Sequence, residues 1–377
     1  MKKNSFICVK TGEEYALSEP RWQSDQQGLL DIRFRPSFDI YRIRQRSANL
    51  WRYREAIPIQ DDANIVSFGE GATPLQQIDL DNFKIHLKLD FLFPTGSYKD
   101  RGASVMISKV KELGIDKVVQ DSSGNAGASV AAYCAKAGIA CDIYAPKRTS
   151  QAKLTQIKMY GATLHLIDGT REDTAQAALE AAQKSYYASH CWNPYFFQGT
   201  KTFAFEIAEQ MGWKAPDTVI LPAGNGTLLI GAYIGFRELM RAGITTQIPK
   251  IIGVQAANCS PLYEAFNQDL PAIPEITTQP SIAEGIAIKT PVRGLQMIHY
   301  VELTSGKFLV VEESEIKDTL FLLGKQGFFV EPTSAAVIAG VRQYLQQEAH
   351  SAETIVSVLT GAGLKATNSI QKLLEDA

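Results

Sequence analysis

Residues 94–104 read Pro94-Thr-Gly-Ser-Tyr-Lys-Asp-Arg-Gly-Ala-Ser104, and they place one amine, that of Lys99, at the start of a helix. Gly96 allows a sharp turn, Ser97 can cap, and the residues from Asp100 onward fit a first helical turn. The positive end of a helix favours the free amine of a lysine over its ammonium form. A lysine held in this way is suited to forming a Schiff base with an aldehyde. Most lysines are solvated surface charges, so the reading depends on what else the chain supplies.

Three loops supply it. Asp121-Ser-Ser-Gly-Asn-Ala-Gly-Ala-Ser129 follows a short apolar strand at 117–120 and precedes an alanine-rich helix running to about 138. Its small residues let a ligand approach the backbone, and the helix start offers N–H groups to a carboxylate or phosphate. Asn125 adds a donor for a ring oxygen. Taken alone, this is an ordinary strand–turn–helix junction. Pro222-Ala-Gly-Asn-Gly-Thr-Leu228 lies between a strand at 218–221 and another helix, and Gly224, Asn225, Gly226 and Thr227 outline a phosphate cradle. It has neither the Gly-Lys-Ser/Thr ending of a P-loop nor the dinucleotide G-x-G-x-x-G, which disfavours a nucleotide. Leu359-Thr-Gly-Ala-Gly-Leu-Lys365 follows a strand at 354–358, and Thr360 can hydrogen-bond a heterocyclic nitrogen without carrying charge. One lysine and three such junctions are what a pyridoxal phosphate site needs.

The motifs also run in a familiar order: Gly69-Glu-Gly-Ala-Thr-Pro-Leu75, Pro94 to Gly102, Ser122-Ser-Gly-Asn125, Lys201-Thr202 with Phe205-Glu206, Pro222 to Gly226, and Thr360 to Lys365. In this the chain resembles the fold-type II pyridoxal phosphate enzymes of the tryptophan synthase β group, and threonine synthases most of all. The resemblance implies an α/β, two-domain fold with parallel sheets flanked by helices and the cofactor in the interdomain cleft. It implies that Lys99 is catalytic and carries pyridoxal 5′-phosphate, that Asn125 meets the ring oxygen, and that Gly224, Asn225, Gly226 and Thr227 bind the phosphate. Thr360 falls where a neutral hydroxyl meets the pyridine nitrogen. Such a partner leaves that nitrogen largely unprotonated, which favours elimination and replacement over transamination. Ser122, Ser123, Gly124, His190, Phe196 and Lys201 are the candidate substrate-binding positions.

The pocket departs from the family pattern. Threonine synthases typically carry Asn-Ser-x-Asn-Pro-Tyr-Arg, where this chain has His190-Cys-Trp-Asn-Pro-Tyr-Phe196 followed by Gln198-Gly-Thr-Lys-Thr202. A substrate phosphate without that arginine loses charge-assisted hydrogen bonds worth roughly 1.5–3 kcal/mol each. The expected activity is a lyase of amino-acid metabolism acting on a small amino acid, nearest to the conversion of O-phosphohomoserine to threonine. The alternatives are a serine or threonine dehydratase, or a β-replacement enzyme using a non-phosphorylated amino acid. From another class stands a non-catalytic pyridoxal phosphate-binding protein.

The whole chain fits these expectations. Its 377 residues, 45% hydrophobic and 21% charged, suit a globular protein of two or three domains. A formal charge of -2 gives no global attraction to nucleic acid or anionic membrane. The arginine cluster at 42, 44, 46, 52 and 54 reads as a solvated or subunit-facing helix. Five scattered cysteines make no disulfide framework, which fits a reducing cytoplasm. Residues 1–60 form an N-terminal extension in which Cys8-Val-Lys-Thr-Gly resembles a zinc knuckle whose second cysteine is Thr11. No metal is expected there, and the extension is expected to pack on a neighbouring subunit of a homodimer. Residues 105–190, with strands near 118, 142, 164 and 187, should form a small βαβ domain. Residues 61–104 and 191–377, with strands near 219, 252, 309 and 356, should form the large cofactor domain. Residues 283–292 read as an irregular active-site wall, and 258–282 as a mobile loop.

Overall fold

Runs of β-branched residues set the strands, because parallel strands covered on both faces must be apolar throughout. The computed structural model describes residues 4–147, 149, 151–348 and 352–375. The chain divides into two units, Met1–Ala72 with Lys99–Thr202 and Thr73–Tyr98 with Phe203–Ala377.

In the second unit, Val219-Ile-Leu221, Ile251-Ile252 and Ile355-Val356 are fully buried at the centre of a six-stranded sheet. Its strands lie in the order Lys307–Val311, Lys250–Ala256, Thr218–Pro222, Ile355–Val358, Phe83–Lys88, Leu75–Leu80. All pairs are parallel except the last. That edge is a two-residue hairpin, with Asp81 and Asn82 at φ 48° and 68°, the left-handed turn that matches strand twist. The strand leading towards Lys99 is pinned at its end by a buried ion pair, Lys88 Nζ to Glu206 at 2.8 Å. Lys88 also donates to Thr73 O at 2.5 Å and to Gln210 Oε1 at 2.8 Å. The expected strands at 219, 252, 309 and 356 are all present. Residues 258–282 hold a helix, Pro261–Asn267, because Gln255 Oε1 caps it by accepting from Leu262 N at 2.9 Å and Tyr263 N at 3.0 Å.

In the first unit, a four-stranded parallel sheet runs Thr163–Ile167, Ala140–Pro146, Lys117–Gln120, Tyr186–Tyr187, matching the expected βαβ alternation. The helix Asn125–Ala137 ends on Gly138 at φ 70°, a left-handed C-cap. This unit also holds residues 61–72, 99–104 and 191–202, which the sequence places with the large domain. The reason is close packing: the helix Pro194–Thr200 lies against Lys99–Glu112 through two glycines. A Cβ on Gly199 would sit 2.0 Å from Arg101 O, and one on Gly102 would sit 2.3 Å from the Phe196 ring.

The N-terminal extension forms a three-stranded antiparallel sheet, Glu14–Ala16, Ser5–Cys8, Leu30–Arg33. It packs on its own unit. Trp22 meets Tyr187 and Trp192 edge-on at 4.9 and 5.8 Å, Phe6 meets Tyr195 at 5.7 Å, and Tyr195 Oη donates to Leu17 O. Burial pushes the Cys8 thiol up, but hydrogen bonds from the Thr11 and Ser24 side chains outweigh this and bring it down to about 7. In the arginine cluster, Arg46 pairs bidentately with Glu55 at 2.6 and 2.5 Å. All five cysteines are free and buried. Among the described residues, no helix is long and apolar enough to cross a membrane.

Candidate active site

Lys99 is the first residue of the helix Lys99–Glu112, as its sequence setting predicts. The next two residues fix that helix start. Asp100 is fully buried and accepts from Ser129 Oγ at 2.6 Å, and Arg101, also fully buried, donates to Thr202 Oγ1 at 3.1 Å. The ammonium of Lys99 lies 6.0 Å from the centroid of the Phe196 ring. Phe196 is itself fully buried, and His190 meets it edge-on at 6.0 Å. Lys201 is fully buried as well. Its Nζ donates to Gln198 Oε1 at 2.6 Å and lies 5.3 Å from the Phe34 ring centroid. The same unit holds the 121–125 loop, where Gly124 N donates to Ser122 Oγ at 3.3 Å and Ser123 Oγ meets Thr149 Oγ1 at 3.4 Å. Asn125 opens the helix behind that loop.

The other candidate residues lie in the second unit. Gly226, at φ 75°, caps the helix Thr227–Arg241, and a helix start directs its first-turn N–H groups past its own end. The loop is walled closely. A Cβ on Gly224 would lie 3.0 Å from both Gly285 O and Ile286 Cα, and one on Gly226 would lie 2.2 Å from Met297 Sδ. Gly285 and Ile286, within the 283–292 stretch, therefore stand against the cradle. Thr360 Oγ1 is 3.1 Å from Ser334 Oγ, which also accepts from Thr360 N at 2.9 Å. Ser334 belongs to the first turn of the helix Pro332–Gln347. Glu331-Pro-Thr-Ser-Ala-Ala336 suits a helix start and a site role equally in sequence, and no local signal there points to Thr360.

The segment before Lys99 is strapped to the Thr360 loop. Ala362 N donates to Gly96 O at 2.9 Å, Lys365 Nζ to Thr95 O at 2.8 Å, and Tyr98 N to Thr360 O at 3.0 Å. Ser97, bridged to Gly361, carries a fully buried hydroxyl with no hydrogen-bond partner among the described residues. Two residues from Lys99, that hydroxyl fits a polar ligand. The backbone N–H groups where the cradle opens the helix Thr227–Arg241 fit a phosphate. The donor set therefore suits pyridoxal phosphate: an amine, a cradle at a helix start, and neutral hydroxyls.

Comparison with known proteins agrees. The family model for pyridoxal-phosphate dependent enzymes matches residues 66–361. The threonine synthase of Methanocaldococcus jannaschii is 34% identical, over 98% of this chain and 95% of that protein. The threonine synthase of Synechocystis is 35% identical, over 85% of each. Among solved structures, the processed threonine deaminase isoform 2 of Solanum lycopersicum superposes with a TM-score of 0.70 at 21% identity, over 91% of this chain and 90% of that one. A fungal L-serine ammonia-lyase from Rhizomucor miehei does so at 0.69 and 20%, over 81% and 98%. At such identities these two likenesses speak to the fold.

Proposed function

We propose, for a chain that belongs to the pyridoxal-phosphate dependent enzymes and is a lyase near threonine synthase, that its substrate is an amino acid with a short or uncharged side-chain end. Serine and threonine are the simplest cases, and the reaction is elimination or replacement. The observation that carries this reading is the apolar ring of Phe196, fully buried and 6.0 Å from the Lys99 ammonium. Burying a phosphate dianion beside that ring costs desolvation. The nearby Lys201 cation already has Gln198 and Phe34 as neighbours.

Bound pyridoxal phosphate supplies the electron sink that acidifies the substrate Cα–H. The residues of this chain do the rest. Lys99 would hold the cofactor, and its Nζ would be the base that takes the Cα proton. Asn125 faces the ring oxygen, and the Gly224–Thr227 backbone and hydroxyl hold the phosphate. Thr360 presents a neutral hydroxyl to the pyridine nitrogen, a role supported by its bonds to Ser334. Ser122, Ser123 and Gly124 offer donors to the substrate carboxylate, and His190 with Phe196 shapes the side-chain end of the pocket. We assign the enzyme to the cytoplasm as a homodimer, on its five free thiols and the habit of such enzymes.

A second reading, conversion of O-phosphohomoserine to threonine, is favoured by the 34% identity across 98% of the chain to a threonine synthase. The two separate in one experiment, measuring kcat/KM for serine, threonine and O-phosphohomoserine with Lys99→Ala as the inactive control. The proposal expects at least a ten-fold preference for serine or threonine. Efficient threonine formation from O-phosphohomoserine would replace it with the second reading.

A further inference from the structure

Tyr98 stands between two of the loops described above, immediately before Lys99. Its backbone N–H donates to Thr360 O at 3.0 Å, and its hydroxyl oxygen lies 2.8 Å from Thr227 Oγ1. Thr227 is 1% exposed and opens the helix that follows the glycine cradle. We infer that the Tyr98 hydroxyl is a positioning residue for the cofactor phosphate, acting through Thr227 within the second unit.

The argument is one of hydrogen-bond direction. A threonine hydroxyl has one proton to give and two lone pairs to receive, and a phosphate dianion only accepts. For Thr227 to donate to phosphate, its contact with Tyr98 must run the other way, with the tyrosine as donor. Tyr98 then fixes the Thr227 rotamer and polarises its O–H towards the anion, and such chains strengthen each link. A phenylalanine would fill the same volume and remove this one donor to Thr227. The contact spans 129 positions of sequence, so it reflects how these loops are folded together and not a local turn. The backbone tie to Thr360 holds the other end of the residue. Tyr98 thus links the phosphate cradle to the Thr360 loop within the second unit.

The test uses the full-length protein stripped of cofactor, titrated separately with pyridoxal 5′-phosphate and with pyridoxal, which lacks the phosphate. Substrate choice does not enter; the inference rests on the reading above that Gly224–Thr227 hold the phosphate, and a Thr227→Val loss confined to the phosphorylated ligand tests that reading separately. Tyr98→Phe is expected to weaken pyridoxal 5′-phosphate by up to about ten-fold, the upper scale of a neutral hydrogen bond, and to leave pyridoxal within about two-fold. Thr227→Val should behave alike, the double variant should be no worse than either single one, and Thr227→Ser should retain wild-type affinity. The ³¹P resonance of the bound phosphate should move in Tyr98→Phe. Equal losses for both ligands would make Tyr98 a merely structural contact. Unchanged affinity for pyridoxal 5′-phosphate, or additive losses in the double variant, would also overturn the assignment.

Discussion

The loops at 121–127 and 222–227 look alike in sequence, yet their glycines answer to different constraints. In the second loop both glycines face protein. Gly226 is held at φ 75° with Met297 where a Cβ would go, and Gly224 lies against Gly285 and Ile286. In the first loop the tight glycine is Gly127, inside the helix, where a Cβ would come within 1.7 Å of Ser122 O. A Cβ on Gly124, at the loop itself, would meet only Ser122 Oγ, at an ordinary contact distance of 3.9 Å. Three of these glycines are required by the protein's own packing. Gly124 is not, and the space beside it is left for whatever the loop binds.

Substitutions ranked by expected loss of stability test that contrast. Gly127→Ala drives a methyl into a backbone carbonyl that cannot step aside, so we expect a loss of at least about 4 kcal/mol in denaturant unfolding. Wild-type stability for this variant would break the comparison at its firmest point. Gly226→Ala forces a left-handed backbone on a residue with a Cβ and displaces a flexible methionine. Together these cost about 2–3 kcal/mol, read as a lower midpoint in urea.

The Cys8 turn is a further case of protein-made constraint, and it is visible through pH. The thiol sits at about 7 in the fold, below its ordinary value near 9. Its contribution is therefore complete above pH 9 and lost as pH falls through 7, a span of about 2–3 kcal/mol. Thermal unfolding of Cys8→Ser at pH 6 and pH 9 should lack this rise, and an unchanged slope would remove Cys8 as its source. Gly124→Ala comes last, within about 0.5 kcal/mol of wild type, while kcat/KM should fall at least ten-fold. A stable variant with full activity would show that the open space is not used.

Much of this was legible because periodicity and local chemistry agree. Val118-Val119, Ile251-Ile252 and Ile355-Val356 announce buried strands, each followed by small residues that suit a turn into a helix or loop. The three loops could be placed at strand–loop junctions for the same reason. What escaped depends on contacts remote in sequence. Nothing near Trp22 says that it will meet Trp192, so the extension's own-unit packing was hidden. Ser334 reaches Thr360 across 26 positions, and Tyr98 reaches Thr227 across 129. Gly199 gave no local hint that residues 191–202 would join the first unit, because the reason lies in the Arg101 carbonyl it approaches.

The five buried thiols have a use in following how the molecule breathes. Cys8 lies in the N-terminal sheet, Cys134 and Cys141 in the helix and strand beside the 121–125 loop, Cys191 just ahead of Phe196, and Cys259 in the second unit. An alkylating reagent reaches each only when its surroundings open, and once open all five behave as ordinary thiols. When closing outpaces reaction, the labelling rate of each site measures its own opening equilibrium, a factor of ten for about every 1.4 kcal/mol. The chain thus carries native clocks in both units, read by mass spectrometry without adding a probe.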